Sequence, residues 1–139
     1  MKQELILKNN VSEVSALGEW VEQIGEELSL PMPDVFNLNL ALEEAVVNVI
    51  SYAYPGEDEQ TLSLSVMRQD DNGDIVFQLK DQGMPFDPTK AEAPDLTLSA
   101  EEREIGGLGI FLVKNIMKHV SYQREGDSNV LTMVYSIAK

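Results

Sequence analysis

Two stretches of strict alternation, Thr61–Met67 and Ile75–Leu79, flank the turn residues Asp71-Asn72-Gly73 and predict a β-hairpin. Leu62, Leu64 and Val66 point one way on the first strand, and Ile75, Phe77 and Leu79 do so on the second. The hairpin therefore has one apolar face, and that face demands a cover. Helical spacing supplies it. Val14, Leu17, Val21, Ile24 and Leu28 recur at three and four, an amphipathic helix with Ser12 as N-cap and with Trp20 near its apolar edge, a core or interface residue. Pro31-Met32-Pro33 stops this helix, Asp34 caps a second one to about Ala53, and Tyr54-Pro55-Gly56 ends that. Gln3–Lys8 alternates as a short strand. Gly106-Gly107-Leu108-Gly109 opens a third helix to about Lys118, and strands over Val120–Arg124 and Val130–Ile137 are joined by Glu125-Gly126-Asp127-Ser128. Asp81–Glu104 has no period, is rich in Pro and acid, and reads as a long functional loop. The order β α α β β loop α β β predicts an α+β fold: a two-layer sandwich with helices on one face of a mostly antiparallel sheet.

Composition narrows the class. The 139 residues suit one domain over 1–139, and 43% apolar content is that of a globular chain. The absence of cysteine removes disulfides, thiolate zinc sites and a cysteine nucleophile. No segment reads as an export signal or a membrane span, so the expected location is the cytoplasm, away from the membrane. A formal charge of −14 opposes direct nucleic-acid binding and favours basic protein partners.

The second helix carries a polar stripe. Asn37, Glu44, Asn48 and Ser51 are spaced by seven, four and three and share one face, with Glu43 a quarter-turn away. The stripe is either a solvated face or a site. A carboxylate followed one turn later by a carboxamide suits metal–phosphate chemistry, with Asn48 giving a neutral oxygen to Mg²⁺ and Glu44 accepting a hydroxyl proton. Asp81, at the end of the hairpin in Lys80-Asp81-Gln82-Gly83, either ends a strand in a turn or accepts a hydrogen bond from an exocyclic amine. The Gly106–Gly109 run either packs tightly as a loop end or lets helix N–H groups meet phosphate oxygens. It is neither a P-loop nor a Rossmann fingerprint.

Taken in order, Glu44-Ala45-Val46-Val47-Asn48, Asp81-Gln82-Gly83 and Gly107-Leu108-Gly109 resemble the N, first-glycine and second-glycine boxes of the GHKL (histidine-kinase-like) ATPase superfamily. Asp81-Gln82-Gly83-Met84-Pro85-Phe86-Asp87-Pro88 and Ile105-Gly106-Gly107-Leu108-Gly109 look most like the stand-alone anti-sigma factor serine/threonine kinases of bacteria. The resemblance implies a Bergerat-type fold with a mixed, mostly antiparallel sheet, and a chain that binds ATP with Mg²⁺. It implies Asn48 on the metal, Glu44 as general base, Asp81 and Gly83 on adenine, Gly107, Leu108 and Gly109 at the phosphates, and an ATP lid over about 84–105. The implied partners are a STAS-type anti-anti-sigma protein, which is phosphorylated, a sigma factor, which is sequestered, and a second copy in a homodimer. A nucleotide-binding partner-switching module without kinase activity is the other reading of the same residues.

Overall fold

The computed structural model describes residues 2–52, 60–69, 73–87, 89 and 107–136. Strand β1 (Lys2–Lys8) leads through a 3₁₀ turn (Val11–Glu13) into α1 (Val14–Glu27) and α2 (Met32–Tyr52). The hairpin β2 (Thr61–Arg68) and β3 (Ile75–Asp81) follows, then α3 (Gly107–Ile116), β4 (His119–Glu125) and β5 (Ser128–Tyr135). The five strands form one sheet in the order β1-β2-β3-β5-β4. All four pairings are antiparallel, so the mixed sheet implied above is not what the described strands build. The α+β class stands.

Register explains which side chains meet. Across β3 and β5, Ile75 lies opposite Tyr135, Phe77 opposite Met133, Leu79 opposite Leu131 and Asp81 opposite Asn129. Directly opposed residues share a face. All eight are buried, so they form one core-side row whose last rung is polar. Leu64 and Val66 of β2 continue the row as partners of Leu79 and Phe77. Trp20 of α1 meets Phe77 edge-on, with ring centroids 6.4 Å apart, which settles its role as core. The opposite sheet face carries Ile6, Gln78 and Lys80, all exposed.

The helix starts differ from the sequence expectations for two reasons. Ser12 is not a cap. The 3₁₀ turn occupies that position, Ser12 N–H donates to Asn10 Oδ1 at 3.0 Å, and Glu13 stands at the N-cap of α1 with no side-chain capping bond. Asp34 is not a cap either: α2 begins two residues earlier, with Pro31 O accepting from the N–H groups of Asp34 and Val35. Pro33 fits there because first-turn N–H groups have no helical partner. Asp34 is instead buried, and Tyr135 Oη–H donates to it from the far end of the chain.

Helix α1 ends in a Schellman arrangement. Leu30 N–H donates to Gly25 O at 2.8 Å and Ser29 N–H to Glu26 O at 3.2 Å. Ser29 occupies the left-handed position with φ 55°, where glycine is usual. Gly25 is needed one turn earlier, since a Cβ there would lie 2.5 Å from Val35 Cγ2. Its absence lets α1 and α2 approach closely.

Boundaries elsewhere shift by a residue or two. Helix α3 stops at Ile116 rather than Lys118, and β5 runs over Ser128–Tyr135 rather than Val130–Ile137. The β4–β5 turn is two residues long, with Gly126 at φ 59°, the first-position geometry of a type II′ turn. Gly73 also takes positive φ, while Asp71, Asn72 and Tyr54-Pro55-Gly56 lie outside the described residues. Among the described residues no helix is long and apolar enough to cross a membrane.

Candidate functional site

The polar rung at the end of the core-side row is the centre of a network. Asp81 is 3% exposed. Its Oδ1 accepts from Gly83 N–H at 2.8 Å and from Asn129 Nδ2 at 2.9 Å. Among the described residues no donor reaches Oδ2. Burial pushes the Asp81 carboxyl up from its ordinary value, and the bonds from Asn129 and Gly83 and the charge of Arg124 hold part of that rise back. The result is a fixed carboxylate with one oxygen committed and one open acceptor, the chemistry an exocyclic amine needs. Gly83, two residues on, is itself buried.

Asn129 is the hub, and the sequence reading missed it. Its Nδ2 donates to Met84 O at 2.9 Å as well as to Asp81. Its Oδ1 accepts from Phe86 N–H at 3.2 Å, from Arg124 Nη1 at 3.2 Å and from Tyr122 Oη–H. Arg124 also donates to Gly83 O at 2.9 Å. The segment Gly83–Phe86 is thus tied to β4 and β5 at three points. An Asn at the start of a strand reads locally as turn residue, and only the β3–β5 register turns it toward Asp81.

The stripe on α2 divides. Asn37 hydrogen-bonds to Tyr135, whose hydroxyl also donates to Asp34, so this end of the stripe is structural. Burial and the Asp34 contact push the Tyr135 hydroxyl up to about 12. About three turns of helix beyond Asn37, Asn48 is 5% exposed, and its Nδ2 donates to Glu44 O at 2.9 Å. That bond uses the amide nitrogen and leaves the Oδ1 acceptor with no described partner, which fits a neutral ligand for Mg²⁺. Glu44 is half-buried one turn before it, and the side chain of Ser51 lies outside the described set. Among the described residues no hydrogen bond joins the Glu44–Asn48 pair to the Asp81 network.

Gly107, Leu108 and Gly109 form the first turn of α3, where backbone N–H groups are free of helical partners. Helix α3 packs against α2. Of the cations near the boxes, Lys80 lies on the opposite sheet face from the Asp81 side chain. Lys114 Nζ donates to Thr89 O at 2.7 Å, and Arg103 lies outside the described residues. Most of the expected lid does too; its start, Met84–Asp87 and Thr89, is described, with Thr89 N–H donating to Asp87 Oδ1. A hollow of about 180 Å³ is lined by Ile6, Leu62, Ser63, Lys80, Asp81 and Gln82. It is smaller than the roughly 300–1,000 Å³ of small-molecule sites.

Comparison with known proteins gives the family. Residues 7–135 match the Histidine kinase-like ATPase domain family. The serine/threonine-protein kinase BtrW of Bordetella bronchiseptica is 31% identical over 98 residues, covering 70% of this chain and 68% of its own. The serine-protein kinase RsbW of Halalkalibacterium halodurans is 30% identical over 117 residues, covering 81% and 69%. RsbW of Listeria monocytogenes is 33% identical over 101 residues, and the match covers 69% of this chain and 63% of that one. A crystal structure of RsbU and RsbW domains from Mycobacterium tuberculosis superposes with a TM-score of 0.72 at 10% identity, over all of this chain and 33% of that one; it speaks to fold alone. Family match, relatives and fold converge: the chain belongs to the histidine kinase-like ATPase domain family, within the branch of the RsbW and BtrW serine kinases.

Proposed function

We propose that the chain is an ATP-dependent serine/threonine protein kinase and anti-sigma factor that phosphorylates a STAS-type anti-anti-sigma protein and sequesters a sigma factor in the cytoplasm. In this reading residues 1–139 are one domain, about 84–105 form the ATP lid, and two copies work as a homodimer. The observation that carries it is the buried Asp81 carboxylate, with Oδ1 held by Gly83 and Asn129 and Oδ2 reached by no donor among the described residues, which suits the adenine amine.

The chemistry follows from the chain's own groups. Gly83 lets the base lie close, and the first turn of α3 at Gly107, Leu108 and Gly109 offers N–H groups to the phosphates. Mg²⁺, when bound with Asn48 Oδ1 among its ligands, supplies neutralisation of phosphate charge. Glu44 takes the proton from a serine or threonine hydroxyl as that oxygen bonds to the γ-phosphorus. The bond from γ-phosphorus to the bridging oxygen breaks, and its electron pair leaves with ADP. Two rises agree with a shared site. From Asp34 to Asn48 α2 rises about 21 Å. From Ile75 to Asp81 β3 rises about 20 Å. A helix lying along the strands from the Tyr135 end would carry Asn48 toward the Asp81 end.

The test is thermal unfolding with ATP, ADP and GTP, with and without Mg²⁺. Ligand at 100 times its dissociation constant stabilises by about 2.7 kcal/mol. Adenine nucleotides are expected to give the shift, GTP to fail, and Asp81→Asn to lose it. No shift at millimolar ATP overturns the reading. Lys80 lies on the outer sheet face and Lys114 is engaged by Thr89 O, which favours a second reading, nucleotide binding without transfer. Incubation with labelled ATP and a purified STAS partner separates the two: phosphorylated partner with wild type and none with Glu44→Ala supports the kinase.

A further inference from the structure

The corner where α1 hands over to α2 has an apolar surface that the nucleotide reading leaves unused. Met32 is 77% exposed and Phe36 68% exposed. They stand four residues apart at the start of α2 and so share a face. Beside them lies a cleft of about 350 Å³ lined by Glu22, Gly25, Glu26, Ser29, Leu30 and Val35 together with Met32. Its floor exists because Gly25 has no Cβ to strike Val35. Its corner is held by Ser29 in the left-handed conformation.

Charge selects the occupant. No Lys, Arg or His occurs between Lys8 and Arg68, so every charged side chain of α1 and α2 is acidic. Glu22 and Glu26 are exposed on the cleft wall. A two-fold contact with a second copy would set this acidic surface against itself. Phosphate backbones and anionic lipid headgroups are repelled in the same way. A cationic, partly apolar protein segment meets both requirements, and a helix of that kind presents its anchors at three- and four-residue spacing.

We propose that the α1–α2 corner is a docking groove for a basic amphipathic helix of a partner protein. Bulky apolar side chains of that helix enter the cleft beside Met32, Leu30 and Phe36, and its Lys or Arg residues face Glu22 and Glu26. Along α2 the groove lies about 24 Å from Asn48. Docking therefore does not rest on the nucleotide reading, and the two fail separately.

The test titrates ¹⁵N-labelled protein with a synthetic peptide that has leucines spaced three and four apart on one face and lysines on the rest. A peptide of the same composition in scrambled order is the control. Saturable shift changes are expected at the amides of Gly25, Ser29, Leu30, Met32 and Phe36, with much weaker binding by the scrambled peptide. Phe36→Ser and the double change Glu22→Lys/Glu26→Lys are each expected to weaken binding at least about tenfold. These side chains are exposed, so unfolding midpoints should stay close to wild type and the adenine-nucleotide shift should be unmoved. Equal binding of the scrambled peptide, wild-type affinity in Phe36→Ser, or shifts spread elsewhere over the acidic surface would each overturn the proposal. So would a self-association in sedimentation that Phe36→Ser abolishes, since it gives the groove to a second copy.

Discussion

Replacing Asn129 with alanine tests whether the Asp81 carboxylate, the proposed adenine contact, is positioned by its strand partner. The side chain is 3% exposed and takes part in five hydrogen bonds, one of them to the Asp81 carboxylate. A bond to a charged group contributes about 1.5–3 kcal/mol and a neutral one about 1 kcal/mol. The bonds are not additive, and water can reach the Met84 and Phe86 backbone at the rim. A loss of about 3 kcal/mol is therefore expected, or roughly 10 °C in midpoint for a domain of this size. The functional effect is more specific. Without Asn129 the Asp81 carboxylate keeps only the Gly83 N–H and is free to rotate, so ATP binding should weaken by at least about tenfold. Urea unfolding supplies the stability, and nucleotide titration of the still-folded variant supplies the affinity. A cycle with Asp81→Asn isolates the pair, with an expected coupling of at least about 1 kcal/mol. Additive losses, or unchanged ATP affinity in folded Asn129→Ala, would refute the reasoning.

Other expectations rest on single contacts. Ser29→Gly removes the left-handed penalty at the end of α1, offset partly by added freedom in the unfolded chain; a gain of about 0.5–1 kcal/mol should appear in urea unfolding. Gly25→Ala places a methyl against Val35 and should cost about 1–3 kcal/mol in the same assay. Tyr135 sits at about 12 when folded against an ordinary value of 10.0, so the folded state holds its proton longer than the unfolded state does. That contribution is complete below pH 10 and is lost as pH rises toward 12, amounting to no more than about 2 kcal/mol after screening. Tyr135→Phe should flatten this part of the alkaline unfolding profile.

Much of the fold was legible because periodicity is local. The β2–β3 hairpin, the β4–β5 pair and three helices follow from alternation and from three-and-four spacing within short windows. What was not legible depends on distant partners. Asp34 reads as a cap until Tyr135, 101 residues away, draws it into the core. Ser12 reads as a cap until Asn10 closes a 3₁₀ turn around it. At the site, Asp81 and Gly83 were visible as a strand-end motif and Glu44 with Asn48 as a helical pair. Asn129 and Arg124 were hidden, because what gives them meaning is the register between strands separated by a helix and a long connection.

The Asp81–Asn129 rung also bears on kinetics. These two residues are 48 apart in sequence, and their pairing requires the β3–β5 ladder to be zipped. Bringing strands together across such a connection is an entropically slow event that comes late on the way to the native sheet. Any species lacking β5 then lacks the donor that holds the Asp81 carboxylate, so a nucleotide recognised by that carboxylate has little to grip before the barrier is crossed. ATP would leave the rate of refolding almost unchanged and slow unfolding instead, acting as a brake on the finished protein rather than a template for its assembly.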